Sequence, residues 1–225
     1  MRSIHDNLQA IKDRIARAAA AAGRDPAGVT LLAVSKTHPG TLVEQAFAAG
    51  QRAFGENYVQ EAVEKMDQLQ GRNIEWHLIG PLQSNKTRIV AGRFAWVHTV
   101  ESEKIARRLS GQRSGNLPVL NVLIQVNVSG EASKSGISAS SVPELAASIS
   151  KLPRIKLRGL MAIPEPGAPA ERYRELKTLY ESLKNRFQLD TLSVGMSDDL
   201  ELAITEGATM VRIGTAIFGA RNYTN

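Results

Sequence analysis

The run VTLLAVS (29–35) has the pattern of a buried strand, and a helical segment from Thr41 to Ala49 follows it. Outward from this unit the same alternation repeats. RAFG (52–55) reads as a short strand before a helix over 57–69, and IEWHLIG (74–80) as a strand before a helix over 84–91. AWVHTV (95–100) precedes a helix around 102–110. PVLNVLIQVNVS (118–129) is the longest strand, with a helix at about 141–151 behind it. IKLRGLMAI (155–163), TLSVG (191–195) and MVRIG (210–214) complete the series, followed by helices over 169–187, over roughly 198–206, and a short final one. Strict alternation predicts a parallel sheet with crossover helices, and eight such units can close into an α/β (β/α)8 TIM barrel. An open doubly wound sheet is the alternative.

Upstream, Ile4, Leu8, Ile11 and Ile15 recur at helical spacing and predict an N-terminal helix ahead of the barrel. Charges at Arg2, Asp6, Lys12, Asp13 and Arg14 interrupt any secretory signal, and no apolar run reaches the roughly 20 residues that span a bilayer. No linker splits the chain, so residues 1–225 are read as one domain, expected to be soluble and cytoplasmic.

Cysteine is absent, which removes disulfides, thiolate metal sites and a cysteine nucleophile. His5, His38, His77 and His98 show no ligand spacing, so no metal is expected. The net charge of +6 invites a nucleic-acid reading, but the cations are scattered. Arg107 and Arg108 have Glu101 and Glu103 close by, and no basic-aromatic stripe is present. A mild positive field suits a small phosphorylated ligand instead.

In a barrel the strand ends build the site. That places Lys36, Gly55-Glu56-Asn57, Gly80, Ser129–Gly136, Met161–Pro164, Gly195-Met196-Ser197 and Gly214-Thr215 on one face. Lys36 closes the first strand, where partial desolvation would free its amine to attack carbonyls. A solvated strand-end lysine reads the same way. In VRIGTAIFG (211–219), Gly214 permits close backbone approach and Thr215 opens a short helix, the arrangement of a phosphate site or of a capped turn. Ser197 could cap the following helix, with Asp198, Asp199 and Glu201 in its first turn. His77, inside a strand, has the position of a hydrogen-bonded core histidine.

Taken together, LLAVSKTHP (31–39), FGENYVQEA (54–62), WHLIGPLQSNK (76–86), VHTVES (97–102), NVSGEASKSG (127–136), RGLMAIP (158–164), SVGMSDDLELAI (193–204) and MVRIGTAIFGAR (210–221) resemble the pyridoxal phosphate homeostasis protein family. These proteins are relatives of the barrel domain of bacterial alanine racemase. The resemblance implies pyridoxal 5′-phosphate (PLP), the vitamin B6 cofactor, held as an imine (Schiff base) on Lys36. It further implies that Ser197, Gly214 and Thr215 hold the phosphate, that Arg212 faces the pyridine nitrogen, and that Asn57, His77 and Met161 line the ring. His38 departs from the second lysine that many relatives carry, whereas Lys134 matches a family lysine.

Two functions remain open at this point: a monomer that stores, buffers or delivers PLP, with PLP-dependent apo-enzymes as partners and no catalytic residues, or an amino-acid racemase. The chain ends soon after Gly214, which favours the first, since two-base racemisation needs a proton handler on each ring face. A barrel for another phosphorylated metabolite would lack the imine altogether.

Overall fold

The computed structural model describes residues 3–129 and 135–220. Helix α1 (Ile4–Ala21) opens with a capping box in which Ser3 and Asp6 satisfy each other's backbone N–H. It buries Leu8, Ile11, Ile15, Ala18 and Ala19. The repeating units follow as β1 (Thr30–Val34), α2 (Gly40–Ala48), β2 (Ala53–Glu56), α3 (Val59–Gln68), β3 (Glu75–Leu78), α4 (Thr87–Arg93), β4 (Trp96–Val100) and α5 (Glu103–Gln112). The second half comprises β5 (Leu120–Gln125), α6 (Val142–Ile149), β6 (Ile155–Met161), α7 (Ala170–Phe187), β7 (Thr191–Ser193), α8 (Leu200–Thr205), β8 (Met210–Ile213) and α9 (Thr215–Phe218).

All eight strands pair in parallel in chain order and close into a barrel. The closing register runs from Thr30↔Met210 to Ala33↔Ile213, which excludes the open sheet. The expected (β/α)8 barrel with a preceding helix is the fold. No helix among the described residues is long and apolar enough to cross a membrane.

Strand alternation divides the side chains. In β1, Leu31 and Ala33 join the main apolar core between sheet and helices, whereas Leu32 and Val34 join a small interior cluster with Ala53, Ile79 and Met210. A second interior cluster holds Trp96, Leu123 and Met161. Helix α1 packs on α8, α9 and α2, and Asn7 Nδ2 donates to the Ile217 carbonyl at 2.9 Å. The strand expected over 118–129 is shorter: β5 ends at Gln125, after which Val126 keeps one hydrogen bond to the Met161 carbonyl and a bridge to Ile137.

Between β5 and β6 the register slips: Val122 faces Leu157, but Leu123 faces Gly159. The extra residue, Arg158, lies over the Trp96 ring at 4.8 Å and pairs with Asp190 at 2.8 Å. Gly159 has φ 158°, and a Cβ there would lie 1.7 Å from the Thr191 carbonyl oxygen. The backbone of β7 therefore occupies the space a side chain would need. We expect Gly159→Ala to lose about 3 kcal/mol or more, by strain plus displacement of β7. Urea unfolding checks this; a loss below about 1 kcal/mol would mean that the strand pair yields freely.

Candidate functional site

At the C-terminal face of the barrel lies a cavity of about 560 Å³, whose wall includes Lys36, Asn57, Ser197, Arg212, Gly214 and Thr215. Six of the eight residues expected to form the site are thus brought together. The alternation that puts Leu32 and Val34 inside the barrel delivers Lys36 to its mouth.

Lys36 is half-buried, and both of its neighbours are pinned. Behind β1, the Lys65 ammonium of α3 donates to the Ser35 carbonyl and to one carboxylate oxygen each of Glu56 and Glu61, all at 2.7 Å. The Ser35 hydroxyl donates to the same Glu56 oxygen at 2.6 Å. Glu61 also accepts the Thr37 N–H at 2.6 Å, and Thr37 has φ 64°. A left-handed conformation is strained for a β-branched residue and persists only where surrounding contacts enforce it. Burial holds the Glu56 carboxyl above its ordinary range, while Lys65 and Ser35 pull it back. One buried ion cluster therefore grips the chain immediately before and after Lys36.

Across the mouth, Arg212 of β8 is almost wholly buried. Its guanidinium donates to the Ser193 carbonyl at 2.8 Å, to the Ser193 hydroxyl at 2.9 Å and to the Ala162 carbonyl at 2.9 Å. Burial pushes its pKa down to about 10, so it remains a cation at neutral pH. Gly214 has an ordinary negative φ, but a Cβ on it would come within 3.1 Å of the Val34 carbonyl. A glycine there lets the end of β8 lie close against β1.

Ser197 does not cap α8 as the sequence suggested. The helix starts at Leu200, and Asp199 stands at its cap position without capping it. The Asp199 carboxylate instead accepts the Met196 N–H and the Tyr173 hydroxyl, folding 196–199 into a separate turn. That turn carries Ser197 to the cavity wall.

Two expected ring-lining residues do not reach the wall. His77 is fully buried, stacked on Trp96 with centroids 5.2 Å apart and hydrogen-bonded to His98 and Glu75, as a core histidine would be. Met161 is likewise fully buried, packed with Trp96 and Leu123 inside the barrel. Both sit on inward-facing strand positions, and neither is among the residues that line this cavity. Lys134 lies outside the described residues. His38 is buried, and its ring centroid lies 5.3 Å from that of Phe218.

Sequence reasoning missed Arg14. This residue of α1 lines the cavity, donates to the Ser197 carbonyl at 3.1 Å and holds both Glu201 oxygens at 2.9 Å. Lys65 and Glu61 were missed as well, because they lie on a helix among ordinary surface-type residues. Among the described residues no group of His, Asp or Glu could hold a metal ion.

Replacing Lys65 with Met keeps the stem and leaves the buried Glu56 carboxylate without its cation. We expect a loss of about 3–5 kcal/mol at pH 8 by urea unfolding. Because the Glu56 carboxyl titrates above its unfolded value of 4.5, the native state takes up that proton more readily than the unfolded chain does. The penalty is therefore smallest below that value and grows as pH rises through the folded pKa. A pH-independent loss would overturn the assignment of Glu56 as the stranded charge.

Comparison with known proteins gives the chain a family. Residues 7–222 match the family described as alanine racemase, N-terminal domain. A pyridoxal phosphate homeostasis protein of Pseudomonas aeruginosa is 58% identical, covering 99% of this chain and 98% of its own. That of Escherichia coli (strain K12) is 53% identical over 100% of this chain and 99% of its own. A solved structure of PipY from Synechococcus elongatus, with PLP bound, is 35% identical with a TM-score of 0.83, covering 96% of this chain and all of PipY. With its closed barrel and matching length, the chain belongs to the alanine racemase N-terminal domain family and, within it, to the pyridoxal phosphate homeostasis proteins.

Proposed function

We propose that this chain binds PLP at the barrel mouth and serves in its homeostasis, by storage, buffering or delivery to apo-enzymes, without turning over amino acids. The observation that carries the reading is that one cavity joins a lysine amine, a buried guanidinium and a hydroxyl-bearing wall. Its volume is ordinary for a small-molecule site. Close relatives carry the homeostasis name over their full length, and PipY holds PLP on the same fold.

The donor set fits the cofactor. Ser197, Gly214 and Thr215, with Arg14 beside them, offer hydroxyls, backbone and positive charge to a phosphate. Lys36 offers an amine, and PLP supplies an aldehyde that condenses with it, releasing one water. On this reading Arg212 would face the pyridine nitrogen and Asn57 would lie beside the ring; both line the cavity. His77 and Met161, both packed against Trp96 and off the cavity wall, would support the site from inside the barrel.

Arg212 also argues against carbanion chemistry. A guanidinium has no acceptor and stays protonated, so it cannot hand a proton to the ring nitrogen and make the ring a strong electron sink. Asp198, the one carboxylate on the cavity wall among the described residues, directly follows Ser197 on the phosphate side.

Three experiments test the proposal. Lys36→Ala should fold with nearly native stability yet lose the visible absorption band of the PLP-loaded protein. Borohydride reduction of the wild type followed by mass spectrometry should place the cofactor on Lys36; fixation on another lysine would refute the assignment. Incubating the loaded protein with L-alanine in heavy water should change the spectrum without deuterium entering the α-carbon. Deuterium uptake or D-alanine formation at rates on the order of 1 per second or faster would make the protein an enzyme.

A further inference from the structure

Inside the barrel five side chains from four strands are joined end to end. Glu75 and His77 come from β3, His98 from β4, Ser193 from β7 and Arg212 from β8. Glu75 Oε1 lies 2.9 Å from His77 Nε2, and His77 Nδ1 lies 2.9 Å from His98 Nε2. His98 Nδ1 lies 3.3 Å from the Ser193 hydroxyl, which accepts from Arg212 at 2.9 Å. His77, His98 and Ser193 are wholly buried, whereas the Glu75 side chain is half exposed at the start of its strand. The chain thus runs from the N-terminal face of the barrel up to the cavity floor.

The chemistry of the two ends fixes every proton between them. Arg212 can only donate, so the Ser193 oxygen is its acceptor and the serine hydrogen is free to go to His98 Nδ1. A neutral His98 that accepts at Nδ1 carries its hydrogen on Nε2 and donates it to His77 Nδ1. His77 in turn carries its hydrogen on Nε2 and donates it to the Glu75 carboxylate. Burial disfavours the charged form of both rings, and the bond from His77 holds the Glu75 carboxyl below its ordinary range. Reversing the chain would require a protonated Glu75 and would take from the serine hydrogen its His98 acceptor.

We propose that Glu75, His77, His98 and Ser193 are positioning residues for Arg212, forming a one-directional hydrogen-bond chain that fixes its guanidinium beneath the ring nitrogen of the ligand. The role toward the ring rests on the PLP reading above, whereas the chain itself does not. Fixed bonds polarise one another, and a fully satisfied buried network specifies one arrangement of its members. Arg212 is thereby held as a permanent donor whose orientation is set before any ligand arrives.

Two measurements test this. In the ligand-free protein, two-bond ¹H–¹⁵N correlation spectra should show both His77 and His98 as single neutral tautomers with the hydrogen on Nε2. Glu75→Gln, which keeps an acceptor oxygen, should preserve both, while Glu75→Leu should leave His77 a tautomer mixture. A hydrogen on Nδ1 of either ring in the wild type overturns the chain. In the second measurement, Ser193→Ala cuts the link beside Arg212. It should weaken PLP about tenfold, the size of one charge-assisted hydrogen bond, and leave the affinity for inorganic phosphate unchanged. Equal weakening of both ligands, or of neither, overturns the positioning role. The tautomers are read without ligand, so a failure of the PLP reading leaves that half of the test intact.

Discussion

The pairing of β1 with β8 is the contact on which the site depends. It sets Leu32 against Arg212 and Ala33 against Ile213, so the end of the first strand and the end of the last come together at one rim. Lys36 leaves one of those ends and Gly214-Thr215 the other. The fit is close: an added Cβ on Gly214 would press on the Val34 carbonyl. Helix α1 seals the same seam from outside by packing on α8 and α9, and from there Arg14 reaches the Ser197 carbonyl. Amine, guanidinium and hydroxyl wall are neighbours only because the sheet closes.

The inside of the barrel is built differently from the layer outside it. Between sheet and helices the core is aliphatic and continuous, whereas the interior holds two small apolar clusters and a polar chain. Branched aliphatic side chains usually fill a barrel interior. Burying two imidazoles and a guanidinium there carries a desolvation penalty, offset only when each has its partners. Each of them does, and Ser193 serves Arg212 with both its carbonyl and its hydroxyl. On the far side of β1, Lys65 meets the same requirement with three oxygens.

Strand ends were the legible part of this sequence. Apolar runs fix where strands lie, period-2 alternation fixes which residues face inward, and the rim position of Lys36, Asn57, Arg212 and Gly214 follows. Alternation does not give depth. His77 and Met161 face inward, yet both are packed against Trp96 inside the barrel and neither lines the cavity. Helix-borne partners were illegible for another reason. Arg14 borders the apolar stripe at Ile11 and Ile15, and Lys65 stands between Glu64 and Met66, so each reads as a solvated cation until closure aims it inward. Ser197 reaches the cavity wall but does not cap α8, where Asp199 holds the cap position and directs its carboxylate to the preceding turn and to Tyr173.

Rigidity is distributed unevenly across the site, and the distribution suits a protein that both holds and releases a ligand. Below the mouth, a buried ion cluster and a strained Thr37 fix the backbone on either side of Lys36, and three hydrogen bonds anchor the Arg212 guanidinium, which lowers the ordering cost of binding. At the rim, Ile163 and Met196 remain substantially exposed. A catalyst that develops charge on its substrate gains from excluding water and closing over it. A store that gives its cargo up gains from the opposite arrangement, with a preorganised floor that supplies affinity and an open rim through which an incoming amine can reach Lys36. Among the described residues, Arg212 lies deep and hydrogen-bonded, whereas Ile163 and Met196 lie exposed at the rim, the division of labour that such a store would need.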